Sequence, residues 1–236
     1  MDTTNSPQRA GRFESALQKI FARNAQVLDV EPVGARFRLI TLGGAGLRNA
    51  GWTPGDKLQV MLGGWVQRTY TPIDWDADHG RTRILVYLHG DAPGARWAGA
   101  LQRGDSCALF GPRKSIRLAP QASPVILFGD ETSLGLAAAL AQQATTYMLF
   151  EAADRAATQA VIARLQLHNA GVESTGSHAL AAQMAALLRT HPDADIVLSG
   201  RAAAIQQMGR LVHQHGTAAK RRQTKAYWAP GKAGMD

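Results

Sequence analysis

The stretch QRTYTPIDWD, residues 67–76, sets Arg68, Tyr70 and Thr71 close together in a run that otherwise reads as a β-strand. A cation, an aromatic ring and a hydroxyl suit a flat, anionic ligand. The ring can stack, the hydroxyl can bond a polar edge, and the guanidinium can pair with a phosphate. The same residues also suit an ordinary edge strand, with Arg68 and Thr71 in solvent and Tyr70 half-buried. A second stretch, HGDAPGARWAGAL, puts a Pro-Gly turn at the start of a short helix. The free N–H groups and positive dipole end of such a helix suit a phosphate. Pro93 opens it, Gly94 allows close backbone approach, and Ala95 adds no bulk. Trp97, one turn inside, either packs beneath a ligand or fills the end of the domain.

These residues need elements to hold them. From Ala25 to about Leu118 the chain is strand-like: AQVLDVEPV, RFRLITLGG, DKLQVMLGG, VQRTYTPID, TRILVYLHG and DSCALFGPR alternate apolar and polar residues between turn formers. Closely spaced runs of this kind predict a small antiparallel barrel, interrupted by one helix between Gly94 and Gly104. After Pro120 the texture changes. PVILFGD, TTYMLFEAA and ADIVLSG are apolar runs, each followed by a helical pattern, and KRRQTKAYW is a candidate last strand. Strands alternating with helices predict a parallel sheet with crossover helices. Ligands of such sheets bind beyond the carboxyl ends of the strands, here Gly129-Asp130-Glu131, Glu151-Ala152 and Ser199-Gly200-Arg201. The expected organisation is α+β with two domains: an extension over 1–24, an antiparallel β-barrel over 25–118, and an α/β parallel-sheet domain of nucleotide-binding type over 119–236. On such a barrel, Arg68, Tyr70 and Thr71 have the chemistry to meet a flavin.

Composition bounds the function. With 236 residues, 45% hydrophobic and 19% charged, the chain is globular and long enough for two cores. Its net charge of +8 attracts anions, whether nucleic acid, lipid, acidic protein or small molecule. The single cysteine, Cys107, excludes an internal disulfide and a cysteine-ligated cluster or zinc site within one chain. No apolar run reaches the ~20 residues that span a bilayer. The polar start, MDTTNSPQRAGRFESALQKIF, lacks the apolar centre of a signal peptide, so the expected location is the cytoplasm. The seven histidines are scattered, and there is no HExxH, so no metal site is expected.

Several stretches together resemble the siderophore-interacting protein family, flavin-dependent ferric-siderophore reductases within the ferredoxin–NADP reductase superfamily. RTYTPI resembles an Arg-x-Tyr-Thr-x-Arg box, and HGDAPGARWA a His-Gly…Gly-Pro-Ala-Ser-x-Trp region. GPRKSI is similar to Gly-Pro-Arg-Gly-Ser, FGDETSLGLAAAL to a Gly-Asp-Glu-Thr-Ala-Leu-Pro-Ala helix start, and KAYWAPGKAG to a Gly-Tyr-Trp-Arg-x-Gly tail. The matches run in order from Ala25 to Gly234. Three positions depart from the pattern: Ile73 replaces the second arginine of the box, Gly135 a proline, and Ala229-Pro230 the tail arginine.

The resemblance implies FAD on the barrel, held by Arg68, Thr69, Tyr70, Thr71, His89, Gly90, Pro93, Gly94, Ala95 and Trp97, with Thr132 and Trp228 reaching in from the second domain. It implies NADPH or NADH as electron donor, or a ferredoxin steered by the basic surface. The substrate is then a ferric siderophore, whose iron is released as Fe(II), a poorer fit to hard oxygen ligands. Because the cofactor carries such chemistry, no catalytic acid or base is expected of the protein. Arg113, Lys114, Lys220, Arg221, Arg222 and Lys225 are candidates for a funnel that attracts an anionic ferric complex, or a solvated charge run on an edge strand. Trp228 either covers the flavin face or pins the C-terminus. Glu131, at a helix start with no GxGxxG, would repel a diphosphate. Three other readings stay open: an NAD(P)H-dependent flavin reductase serving another acceptor, a siderophore-binding protein without turnover, and a nucleic-acid-binding barrel. Partnership with nucleic acid or membrane is not expected.

Overall fold

The computed structural model describes residues 22–62, 66–118, 123–216 and 221–232. Period-two alternation builds the first half. In β6 (Arg81–Tyr87), Thr82, Ile84 and Val86 are buried while the residues between them are less so. β6 lies in an antiparallel sheet with β1 (Arg23–Val33), β2 (Phe37–Gly43), β3 (Lys57–Met61), β4 (Gln67–Tyr70), β5 (Pro72–Asp76) and β7 (Ser106–Arg113). The order across the sheet is β4-β3-β7-β1-β2-β6-β5. β4 and β5 are therefore its two edges, although one residue, Thr71, joins them in the chain. The sheet rolls until its edges are neighbours without a closing ladder, so it is barrel-like rather than a closed barrel.

The run VQRTYTPID, expected as one strand, is thus two. Pro72 has no N–H to continue a ladder, and the chain changes sheet edge at Thr71. Helix α1 (Pro93–Ala100) follows β6, with proline in its first turn and no side chain capping its start.

The second half is a parallel sheet, β8 (Val125–Gly129), β9 (Thr146–Ala152), β10 (Ala170–Ser174), β11 (Asp195–Arg201) and β12 (Arg222–Trp228), in the order β10-β9-β8-β11-β12. Every residue of the central strand β8 is buried, as expected of a strand covered on both faces. The connections are α2 (Leu134–Leu140), α3 (Arg155–Arg164), α4 (Ala179–Thr190) and α5 (Ala202–Gln214). A 3-10 turn, Glu131–Ser133, precedes α2, so the helix expected from Glu131 starts three residues later. β10 and α4 go beyond the expected elements. β10 is a half-exposed edge strand with one buried residue, Val172, and carries almost no apolar signal.

One core crosses between the sheets. Val33, Phe37, Leu39 and Ile73 from the first pack with Val125 and Phe150 from the second and with Leu134 and Leu136 of α2. Gln142 Nε2 donates to the Ile73 carbonyl at 2.6 Å, and Arg164 holds Glu31 through Nε and Nη2 at 2.6 and 2.7 Å. Ile73, standing where the family pattern has arginine, is a buried residue of this shared core. The segment after β7 is strapped to β12: Arg117 N donates to Gln223 Oε1 at 2.9 Å, and the Gln223 amide returns a bond to the Arg117 carbonyl. Among the described residues no helix is long and apolar enough to cross a membrane.

Candidate functional site

This strapping sets β12 against the mouth of the barrel and leaves a cleft of about 360 Å³ between them. Its barrel side is β4. Arg68, Thr69 and Tyr70 of this short edge strand and Thr71 of the one-residue link all lie on the lining, with Pro93, Gly94 and Ala95 of the α1 start beside them. The approach is close: a Cβ at Gly94 would lie 2.8 Å from the Tyr70 hydroxyl and 3.5 Å from Arg68 Cγ. Glycine therefore lets the uncapped start of α1 share a wall with Arg68. Tyr70 is backed by Trp97, whose ring centre is 6.1 Å away at 27°. Burial pushes the Tyr70 hydroxyl well above the usual phenol range, so the ring stays neutral.

The opposite wall comes from the second domain. Thr132, Lys225, Tyr227, Trp228 and Lys232 line the cleft. The Tyr227 hydroxyl lies 3.4 Å from Thr71 Oγ1, and burial pushes it up to about 12. Trp228 Nε1 donates to Asp130 Oδ2 at 2.7 Å, and its ring stacks on His89 at 6.4 Å and 26°. Four cations, Lys57, Arg68, Lys225 and Lys232, border the cleft; no carboxylate does among the described residues. An aromatic, cationic slot with an uncapped helix start fits a flavin ring with a diphosphate tail.

The structure brings together most, but not all, of the expected residues. Gly90 lies outside the lining, at an exposed turn with φ of 53°. Trp97 stands behind Tyr70 and packs on the barrel core instead of facing the cleft. The expected basic funnel does not assemble. Of its residues only Lys225 lines the cleft. Arg113 is bound to Gln59, Arg221 turns back to the Asp193 carbonyl, and Arg222 Nη1 donates to the Gly209 carbonyl at 3.1 Å. Lys114 is exposed beyond the lining, and Lys220 lies outside the described residues. Arg222 and Lys225 are an odd number of positions apart on β12, so they cannot share a face. Sequence reasoning missed Lys57, Tyr87, Ser115, Tyr227 and Lys232. Tyr87 was accessible from alternation two positions before His89; Lys57 reaches the cleft only because β3 pairs with β4.

A second pocket, of about 550 Å³, sits at the carboxyl ends of the parallel strands and shares Tyr87, His89, Thr132 and Trp228 with the first. Asp130, Glu131, Glu151 and Arg201 line it. Burial raises Glu151 and the Arg201 guanidinium opposes that shift.

Comparison with known proteins agrees with this geometry. The family model described as the siderophore-interacting FAD-binding domain matches residues 63–116. No curated protein matches the sequence. A siderophore utilization protein from T. fusca shares the fold at 21% identity and a TM-score of 0.69, over 91% of this chain and 95% of that one. Phthalate dioxygenase reductase, a modular structure for electron transfer from pyridine nucleotides to [2Fe-2S], superposes with a TM-score of 0.76 at 13% identity, over 91% of this chain and 71% of that one. Full-length CYP116B46 from Tepidiphilus thermophilus matches 88% of this chain at 18% identity and a TM-score of 0.70, and the chain spans 29% of its length. The resemblance drawn from the sequence motifs is borne out, as is the two-domain ferredoxin reductase-like fold.

Proposed function

We propose that the protein is a flavin-dependent oxidoreductase that holds FAD without a covalent bond and reduces ferric siderophores, releasing Fe(II). The observation that carries this reading is the cleft, where Arg68, Tyr70, Thr71 and the Gly94 helix start converge inside the region matched by the FAD-binding family model. Bound FAD supplies two-electron uptake and one-electron release, which is what reduction of chelated Fe(III) needs. The chain supplies the rest. Arg68 and the α1 N–H groups bind the diphosphate. Tyr70, held by Trp97, presents a rigid neutral ring for stacking. Thr71 and Thr132 offer hydroxyls to the polar edge. Lys57, Lys225 and Lys232 draw an anionic iron complex to the mouth. Trp228, fixed by Asp130, forms with His89 the wall between the two pockets. The electron donor is a nicotinamide nucleotide or a ferredoxin, and the site of action is the cytoplasm.

The test is to reconstitute the protein with FAD, reduce it anaerobically, and add ferric catecholates and hydroxamates. Reappearance of the oxidised flavin spectrum together with Fe(II) captured by a chromogenic chelator is expected. A flavoprotein that none of the complexes reoxidises would instead serve another acceptor.

A further inference from the structure

The strand-end pocket has the opposite character from the cleft beside it. Asp130, Glu131 and Glu151 line it with one cation, Arg201. That cation is engaged: its Nε and Nη2 hold Glu151 at 3.0 Å each. Main-chain N–H groups at the ends of parallel strands are where such sheets receive anions. Here acidic side chains already occupy three of them. The Asp130 carboxylate accepts from Thr132 N at 2.9 Å and from Arg201 N at 2.7 Å. Glu131 reaches to the end of β9 and accepts from Ala153 N at 2.6 Å. Both carboxylates are deeply buried, Asp130 at 3% exposure and Glu131 at 7%. Packing holds Asp130 in place, since a Cβ at Gly200 would lie only 2.6 Å from its carboxylate. The start of α3 is closed in the same way, by Asp154 accepting from Ala157 N at 3.0 Å.

We infer that Asp130 and Glu131 act as internal anions in the anion-receiving positions of the sheet, and that this crevice selects against the diphosphate of a nicotinamide dinucleotide. Two effects combine. An incoming diphosphate finds N–H donors taken, and it meets charges of its own sign on carboxylates that are themselves buried. The inference rests on the flavoprotein reading only in treating this side as a donor's approach. It narrows the donor to one that does not grip this crevice by phosphate.

Calorimetry of the FAD-loaded protein with NADP⁺ and NAD⁺ tests it, comparing wild type with Glu131→Gln. Glutamine keeps an acceptor for Ala153 N–H and removes one charge. Wild type should show no saturation below about 1 mM, and the variant should bind about tenfold tighter. Micromolar binding to wild type overturns the inference, as does a variant that binds no better. If Glu131→Gln does not fold, the wild-type titration decides alone. Whether the protein retains FAD is scored separately by absorbance, so failure of the flavin reading is distinguishable from failure of this one.

Discussion

A buried carboxylate without donors destabilises a fold by several kcal/mol, and Asp130 avoids that with four: Thr132 N, Thr132 Oγ1, Arg201 N and Trp228 Nε1. One side chain thus ties the ends of β8, β11 and β12 together. Asp130→Ala leaves those donors unpaired and should destabilise the protein by about 3 kcal/mol, read from denaturant unfolding. Gly200→Ala should also destabilise, because φ is 103° and the new methyl meets the carboxylate. At the cleft, Arg68→Ala removes a charge-assisted contact and Tyr70→Ala a stacking face. The expected losses in FAD affinity are about 2 and about 1 kcal/mol, measured by flavin fluorescence titration. Full flavin retention by both variants would leave the Arg-Thr-Tyr-Thr box a purely structural strand.

On the proposed reading, the α1 start should decide which flavin is held. Its first turn has no side-chain cap and faces Arg68 across Gly94, so a diphosphate has both dipole and cation to meet. FAD should therefore outcompete FMN. Chromatography of flavin released from protein exposed to both is expected to show FAD, and Gly94→Val, which drives a side chain into the Tyr70 hydroxyl, should abolish the preference. Elements of this kind were legible in the sequence because their chemistry is local. The box, the Pro-Gly start, the alternation of β6 and the continuous apolar run of β8 all lie within a few residues. What was not legible depends on topology. The basic residues before Tyr227 read as one cluster, but strand alternation sends Arg222 to the Gly209 carbonyl and Lys225 to the cleft. Lys57 enters through β3–β4 pairing, and the anchoring of Trp228 to Asp130 joins residues 98 positions apart. β10 stayed hidden because an edge strand with one buried residue has no hydrophobic period to detect.

Over the whole molecule, buried neutral acids and surface cations give two opposite dependences on solution conditions. Burial pushes Tyr227 up to about 12 and Cys107 up to about 11, from ordinary values of 10.0 and 9.0. Both are held neutral in the fold and ionise more readily when unfolded. Their stabilisation is complete below pH 9 and is lost as the pH rises toward 12. Chemical denaturation midpoints should fall across that window, and Tyr227→Phe should flatten the fall. The cations act on association instead. Lys225 and Lys232 border the cleft, and a chain with a net charge of +8 gives an anionic complex a favourable approach from a distance. Exposed charges are screened over ~8 Å at physiological salt, so the second-order rate of flavin reoxidation by an anionic ferric catecholate should fall as salt is raised. A charge-neutral ferric hydroxamate should hardly respond. Lys225→Ala combined with Lys232→Ala should lower the catecholate rate several-fold at low salt and leave FAD content unchanged. The Arg221→Ala variant should have little effect, because that side chain is turned away to the Asp193 carbonyl. Stopped-flow oxidation of the reduced protein by both complexes makes the comparison. Equal salt dependence for the neutral and anionic complexes would show that the basic border of the cleft does not steer the substrate.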